Sequence, residues 1–303
     1  MMTLMDRSVL YQINSLEKPQ KISGFLKEKG YSRQNLVDLR KDEQAICLNG
    51  TYVHMNHMLA EGDVLTVWIR ETDNSGQIRP VKLPFAIVYE DEDLLVINKP
   101  AGMPVHPSRG NPENSLGNAL AWYFKEQGVP FVFRCINRLD RDTTGALILA
   151  KNPLSAAILS VQMKKRQILR TYLALVDGLL PDSGTINAPI ARMEGSVITR
   201  EVNFGTGESA ITHYERLAAG KEYSLAELHL ETGRTHQIRV HMKYIGHPLP
   251  GDYLYNPDYR RINRQPLHSY QLEFTHPTTG KVMLFTAPLP IDFISAFYSN
   301  PLK

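Results

Sequence analysis

The segment from Ile136 to Ala150, INRLDRDTTGALILA, restricts the fold more than any other in the chain. Arg138, Asp140, Arg141 and Asp142 fall within five positions, a Thr-Thr-Gly turn follows, and no polar side chain occurs from Gly145 to Ala150. An apolar run this short, bounded by a turn, reads as a buried strand. Its charged mouth then lies where the strand enters the core. Surface ion pairs stabilise by about 0–1 kcal/mol at most, which is a weak reason for such crowding. A carboxylate held ionised to do chemistry is a stronger one.

With 303 residues, the chain has room for one large domain and a small one. A net charge of +3 does not by itself argue for nucleic-acid binding, but it is compatible with a basic groove on an otherwise balanced surface. The two cysteines, Cys47 and Cys135, lie far apart and form no C-x-x-C pair. They point to a reducing compartment and away from both a disulfide framework and a cysteine zinc site. The first twenty residues lack the basic head and apolar core of a signal peptide. No apolar run reaches the roughly 18 residues that span a bilayer. The expectation is a cytoplasmic protein with no membrane partner.

Residues 21–70 read as a compact αα-β unit. Ile22, Phe25 and Leu26 share a helical face that stops at Gly30, and Ser32 is placed to cap a second helix carrying Leu36 and Leu39 inward. In AICLNGTYV, Asn49-Gly50 joins two short strands as a hairpin, and EGDVLTVWI turns at Gly62-Asp63 into a closing strand. The polar TDNSGQIRP that follows reads as a linker. The expected organisation is a small domain over 1–72, a linker over 73–80 and a larger domain over 81–303. In the larger domain, DLLVINKP, GALILAKN, TYLALVDG and MLFTAPLP read as strands, and SLGNALAWYFKEQ, LSAAILSVQMKKR and THQIRVHMKYI as helices. Because these do not alternate strictly, the expected class is α+β, with a mixed, largely antiparallel central sheet flanked by helices.

Two enzyme families compete for the charged turn. Asp140-Arg-Asp142-Thr-Thr144 fits the D-x-D-x-T of magnesium-dependent aspartyl phosphotransferases. That motif needs an unbroken apolar strand before its first aspartate, and here Arg134, Asn137 and Arg138 interrupt it. The other resemblance spans five segments in order. NRLDRDTTG resembles the H-R-L-D-x-x-T-S-G signature of RluA-type RNA pseudouridine synthases. INKPAGMPVHPS, RTYLALVDG, ETGRTHQIRVHMKYIGHPLPGDYLY and LHSYQLEFTHPTTGKVMLFTAPLP are similar to that family's entry strand, tyrosine strand, Gly-Arg-Thr-His-Gln helix and closing strands. The unit at 21–70 likewise resembles the S-four-type RNA-binding domain. Residues 1–80 nonetheless carry 10 Lys+Arg against 10 Asp+Glu, so the excess charge lies in the larger domain.

The resemblance implies isomerisation of uridine to pseudouridine within ribosomal or transfer RNA. Nothing is oxidised and no outside group is transferred, so no cofactor and no metal is implied. By motif position Asp140 is the catalytic carboxylate, Tyr172 the residue that stacks on the target uracil, and Arg234 the cation paired with Asp140. A carboxylate nucleophile must be ionised where water is largely excluded; burial opposes that and an arginine partner favours it. Arg138 and Asn137 are candidates for RNA contact, as are Lys164, Lys165 and Arg166 of KKRQILR, and RRINR at 260–264. Asn137 stands where the family has histidine and Thr144 where it has serine. Asp142 is expected to tie down the turn, and Lys99-Pro100 with Gly102 to shape a strand end. A monomer is expected. The rival from another class is an inactive RNA-binding or ribosome-assembly factor on the same fold, which would need none of Asp140, Tyr172 and Arg234.

Overall fold

The structure, a computed structural model, describes residues 7–15, 19–71, 78–108 and 110–298. Most of the expected linker, residues 73–77, lies outside the described residues.

The amino-terminal unit runs β1 (Arg7–Gln12), α1 (Ile22–Glu28), α2 (Arg33–Lys41), β2 (Ile46–Leu48), β3 (Thr51–Tyr52) and β4 (Val64–Ile69). The strands form a four-stranded antiparallel sheet in the order β1-β4-β2-β3. Asn49 (φ 51°) and Gly50 (φ 84°) both take the left-handed conformation required by a two-residue hairpin turn. Ser32 caps α2 with a reciprocal bond to Asn35. Ile22, Phe25, Leu26, Leu36 and Leu39 are all buried. β1 was not among the sequence expectations. It is an edge strand with Leu10 exposed, and its Arg7 reaches across to the buried Asp93 at 2.9 Å.

The larger unit begins with β5 (Ala86–Glu90), β6 (Leu94–Lys99), α3 (Leu116–Glu126), β7 (Thr144–Ala150), α4 (Pro153–Lys164) and β8 (Leu169–Asp177). β9 (Ser183–Asn187), β10 (Ile190–Arg192), β11 (Arg200–Val202), β12 (Ile211–Ala219), β13 (Tyr223–Leu230) and α5 (Gln237–Tyr244) follow. β14 (Leu267–Thr275), β15 (Val282–Thr286) and α6 (Ile291–Tyr298) close it. The main sheet runs β5-β6-β7-β14-β8-β13-β12-β9, with β15 also on β14; β10 and β11 form a separate ribbon. Among the described residues the β7–β14 pair alone is parallel. The α+β class with a mixed, largely antiparallel sheet is what the sequence led one to expect.

Alternation along the central strands sorts side chains between two layers. Tyr172, Ala174 and Val176 of β8 face one core with Leu116, Leu120 and Phe124 of α3 and Ile238 and Met242 of α5. Leu173 and Leu175 face the other side, against Phe293 and Ala296 of α6. β7 is buried along its whole length, with Ala146 and Ile148 under α4 and Leu147 and Leu149 under α3. Its first turn is fixed by Gly145 (φ 110°), where an added Cβ would stand 2.2 Å from the Ser269 carbonyl oxygen. No helix among the described residues is long and apolar enough to cross a membrane.

Candidate active site

The loop before β7 is held from both ends. Asn137 Oδ1 accepts from the Ile148 N–H at 2.8 Å, and the Ile136 N–H donates to Ile148 O, so the loop pairs with β7 like a short strand. At the other end the Thr143 N–H returns to Asp140 O. Below it, Lys99 is fully buried at the end of β6 and donates to three carbonyl oxygens, of Pro100 (2.7 Å), Met103 (2.8 Å) and Arg141 (2.9 Å). Burial pulls its pKa down to about 7, against the charges of Asp142 and Asp140. Lys99 therefore shapes the strand end and clips the Asp140 loop to it.

Asp140 projects from this loop into a small cleft that Arg138, Tyr172, Arg234, His236 and Arg239 also line. Arg239 Nη1 donates to Asp140 Oδ2 at 2.8 Å. The rest of the Arg239 fork holds Asp252, Nε to Oδ2 at 2.6 Å and Nη2 to Oδ1 at 2.7 Å. Arg239 and Asp252 are each 1% exposed, whereas Asp140 is 26% exposed. One buried cation thus serves two carboxylates, one locked away and one facing the cleft. Burial opposes the charge on Arg239, but the hydrogen bond to Asp252 and the charges of both aspartates outweigh it and raise the pKa. The Tyr253 and Tyr255 rings add cation–π contacts at 5.6 and 5.0 Å.

Tyr172 sits on the same floor, almost wholly buried. Burial raises its phenol pKa, opposed by Arg170 and reinforced by the charge of Asp140, so it is a neutral donor at physiological pH. Arg170, two residues earlier on the same face of β8, has its Nε buried with no hydrogen-bond partner among the described residues. Gly233 leaves it room, since a Cβ there would stand 3.1 Å from Arg170 Nη1. His236 precedes α5 in a left-handed conformation (φ 59°). Its Nδ1 bonds Tyr255 Oη at 2.9 Å, and its Nε2 lies 3.9 Å from Asp140 Oδ1. Burial lowers the His236 pKa, with Asp140 working against it. A non-glycine residue held left-handed beside a carboxylate is the kind of local strain that collects at functional sites.

This arrangement places an aromatic ring, a partly exposed carboxylate and a buried compensating cation around one opening. The comparisons agree with it. The family model described as RNA pseudouridylate synthase matches residues 93–244, which contain every cleft residue named above. An RNA pseudouridine synthase of Bacillus subtilis, YjbO, itself described as uncharacterized, is 40% identical over 272 residues, covering 89% of this chain and 96% of that protein. The chain belongs to the RNA pseudouridine synthase family. The ribosomal large subunit pseudouridine synthase D of Pasteurella multocida is 36% identical over 278 residues, covering 87% of this chain and 85% of that protein. Among solved structures, human RNA pseudouridylate synthase domain containing 1 is 30% identical with a TM-score of 0.57, over 68% of this chain and 83% of that one. As a member of this family the chain is an isomerase that converts uridine to pseudouridine in RNA.

Several roles expected from the sequence fall to other residues. Arg234 does not pair with Asp140. It lies on the loop before α5, with its guanidinium on the exposed Glu208 and its Nε on Ser209 O. The cation at Asp140 is Arg239, five residues on and inside α5. Asn137 is no RNA contact either: it is 4% exposed, with both polar atoms on the β7 backbone. The Asp142 carboxylate is gripped by its neighbour Arg141 instead of bonding the turn. Thr144 keeps a hydroxyl function, bonding His268 Nδ1 at 2.7 Å.

Arg138 is exposed at the cleft. Lys164 and Lys165 are exposed at the end of α4, which packs on the opposite side of the sheet from α5. Arg166 pairs with Glu231 at 3.0 Å, and none of the three lines the cleft. In RRINR, Arg260, Arg261 and Arg264 are each engaged by a carboxylate, of Asp258, Glu222 and Asp292. Tyr253, Tyr255, Arg239 and Asp252 went unnoticed in the sequence. The signal was an arginine on the buried stretch of a helix, followed thirteen residues later by the aspartate of a Gly-Asp turn.

Proposed function

We propose that Asp140 is the carboxylate that acts at the target nucleotide, and that this nucleotide is a uridine in a stem-loop of ribosomal RNA. The observation that carries the reading is the single Arg239 fork, which fixes Asp140 in the cleft while Asp252 fixes the fork. A uracil entering the cleft meets Tyr172, and base–aromatic stacking is worth roughly 1–3 kcal/mol. That offsets part of the few kcal/mol needed to evert a base from its helix. The N1–C1′ bond breaks, the base rotates, and C5 bonds to C1′ in place of N1. N1 ends with a proton and C5 loses one, so the isomerisation balances without a co-reactant. Asp140 supplies the anionic oxygen beside the bond that breaks, and neutral Tyr172 is placed to move a proton.

Ribosomal RNA is favoured over transfer RNA by the relatives named for the ribosomal large subunit. The αα-β order of the small unit supports reading residues 1–72 as an RNA-binding domain. Mapping pseudouridines in total RNA from cells with and without the protein tests the assignment. A ribosomal site that vanishes with the protein is the expected result; loss only from transfer RNA would overturn the choice of substrate.

A further inference from the structure

Beside the cleft lies a second groove, of about 530 Å³, within the size range of small-molecule sites. Arg192, Arg200 and Arg234 line it, with Thr206, Thr235 and Glu208. Arg192 and Arg200 stand directly opposite each other in the β10–β11 ribbon. Like charges facing across an antiparallel pair are destabilising. Among the described residues neither is in an ion pair; Arg200 Nη1 donates only to the Ile198 and Thr199 carbonyls, both at 3.1 Å. The third arginine is held by Glu208, whose side chain is 69% exposed, and an exposed pair of this kind is weak. The ribbon is not loosely attached. The Arg200 N–H donates to Tyr255 Oη at 2.8 Å, and the same oxygen bonds His236 Nδ1, the histidine whose other nitrogen faces Asp140. The arginine pair is thus set at a fixed place relative to Asp140, and Arg234 lines both openings.

We infer that Arg192, Arg200 and Arg234 form a binding site for the phosphodiester of a nucleotide flanking the target uridine. The inference rests on the proposed function and adds how the substrate strand is gripped. A phosphate between Arg192 and Arg200 removes their repulsion and takes Arg234 from Glu208. The ribbon therefore trades stability in the free protein for RNA affinity, and the two should respond oppositely to charge removal.

The test compares the wild-type chain with the Arg192→Gln/Arg200→Gln double variant. Inorganic phosphate should raise the melting temperature of the wild type and leave the variant's unchanged, while without phosphate the variant melts no lower than the wild type. On a uridine-containing stem-loop RNA, the variant's affinity should fall roughly tenfold. The slope of log affinity against log salt should shrink by about 0.7–0.9, the loss of one phosphate contact. Equal affinity and equal slope in the two proteins would overturn the site, as would a phosphate effect of the same size in both. If the wild type instead modifies no RNA, the proposed function fails, and the phosphate melts still decide whether an anion site exists.

Discussion

Replacing Arg239 with methionine tests the geometry at its most sensitive point. The side chain is 1% exposed and makes three charge-assisted hydrogen bonds, two to Asp252 and one to Asp140. Asp140 reaches solvent and can recover water. Asp252 cannot: its Oδ1 keeps the Leu254 and Tyr255 N–H groups, but its Oδ2 loses the arginine and meets no water. Leaving one member of a buried pair unpaired costs about 3–5 kcal/mol. In a chain of this size that corresponds to a fall in melting temperature on the order of 10 °C. Arg234→Met removes an exposed pair and should cost about 0–1 kcal/mol. Urea unfolding of both variants measures the difference directly. Adding Asp252→Leu to Arg239→Met should restore part of the loss, because the uncompensated buried charge goes with it. Isomerisation should stay low in that double variant, since Asp140 still lacks its anchor. Equal costs for Arg239→Met and Arg234→Met, or strict additivity with Asp252→Leu, would refute the shared-cation argument.

Three further perturbations follow from the same structure. Gly145→Ala places a methyl against the Ser269 backbone at a left-handed position, so it should separate β7 from β14 and lose several kcal/mol in denaturant unfolding. Burial holds the His268 pKa down to about 4, so below about pH 6.5 the unfolded chain binds a proton that the folded chain refuses. Stability should therefore fall by about 3 kcal/mol as pH drops from 6.5 to 4, and His268→Gln should flatten that dependence in unfolding measured across pH. Tyr172→Phe should keep RNA affinity with slower isomerisation, and Tyr172→Ala should weaken both; equal rates for all three side chains would make Tyr172 a core residue only.

What the sequence made legible was what depends on local periodicity. The two-residue alternation of β8 put Tyr172, Ala174 and Val176 on one face, and the structure has them in one core. The Asn49-Gly50 hairpin and the Ser32 cap rest on the conformation of one or two residues, and both are present. What escaped depends on distant segments meeting. Helical periodicity assigns a charged residue beside Ile238 to solvent, and only the return of the chain through Gly251-Asp252 buries Arg239. Asn137 looked like a solvent-facing replacement for histidine because nothing local shows that β7 has an open backbone edge there. RRINR looked like an RNA patch because its three carboxylate partners lie between 2 and 39 residues away from the arginines they neutralise. β1 escaped because it is an edge strand with weak alternation, recognisable only through its pairing with β4.

A single carboxylate carries the proposed chemistry, and an isosteric change isolates it. Asp140→Asn keeps the size of the group and leaves Arg239 on Asp252, so folding and RNA affinity should match the wild type. Release of the C5 hydrogen from uridine labelled there, followed under single-turnover conditions, should then be absent. Hydrogen release at close to the wild-type rate from that folded, RNA-bound variant would contradict the central claim.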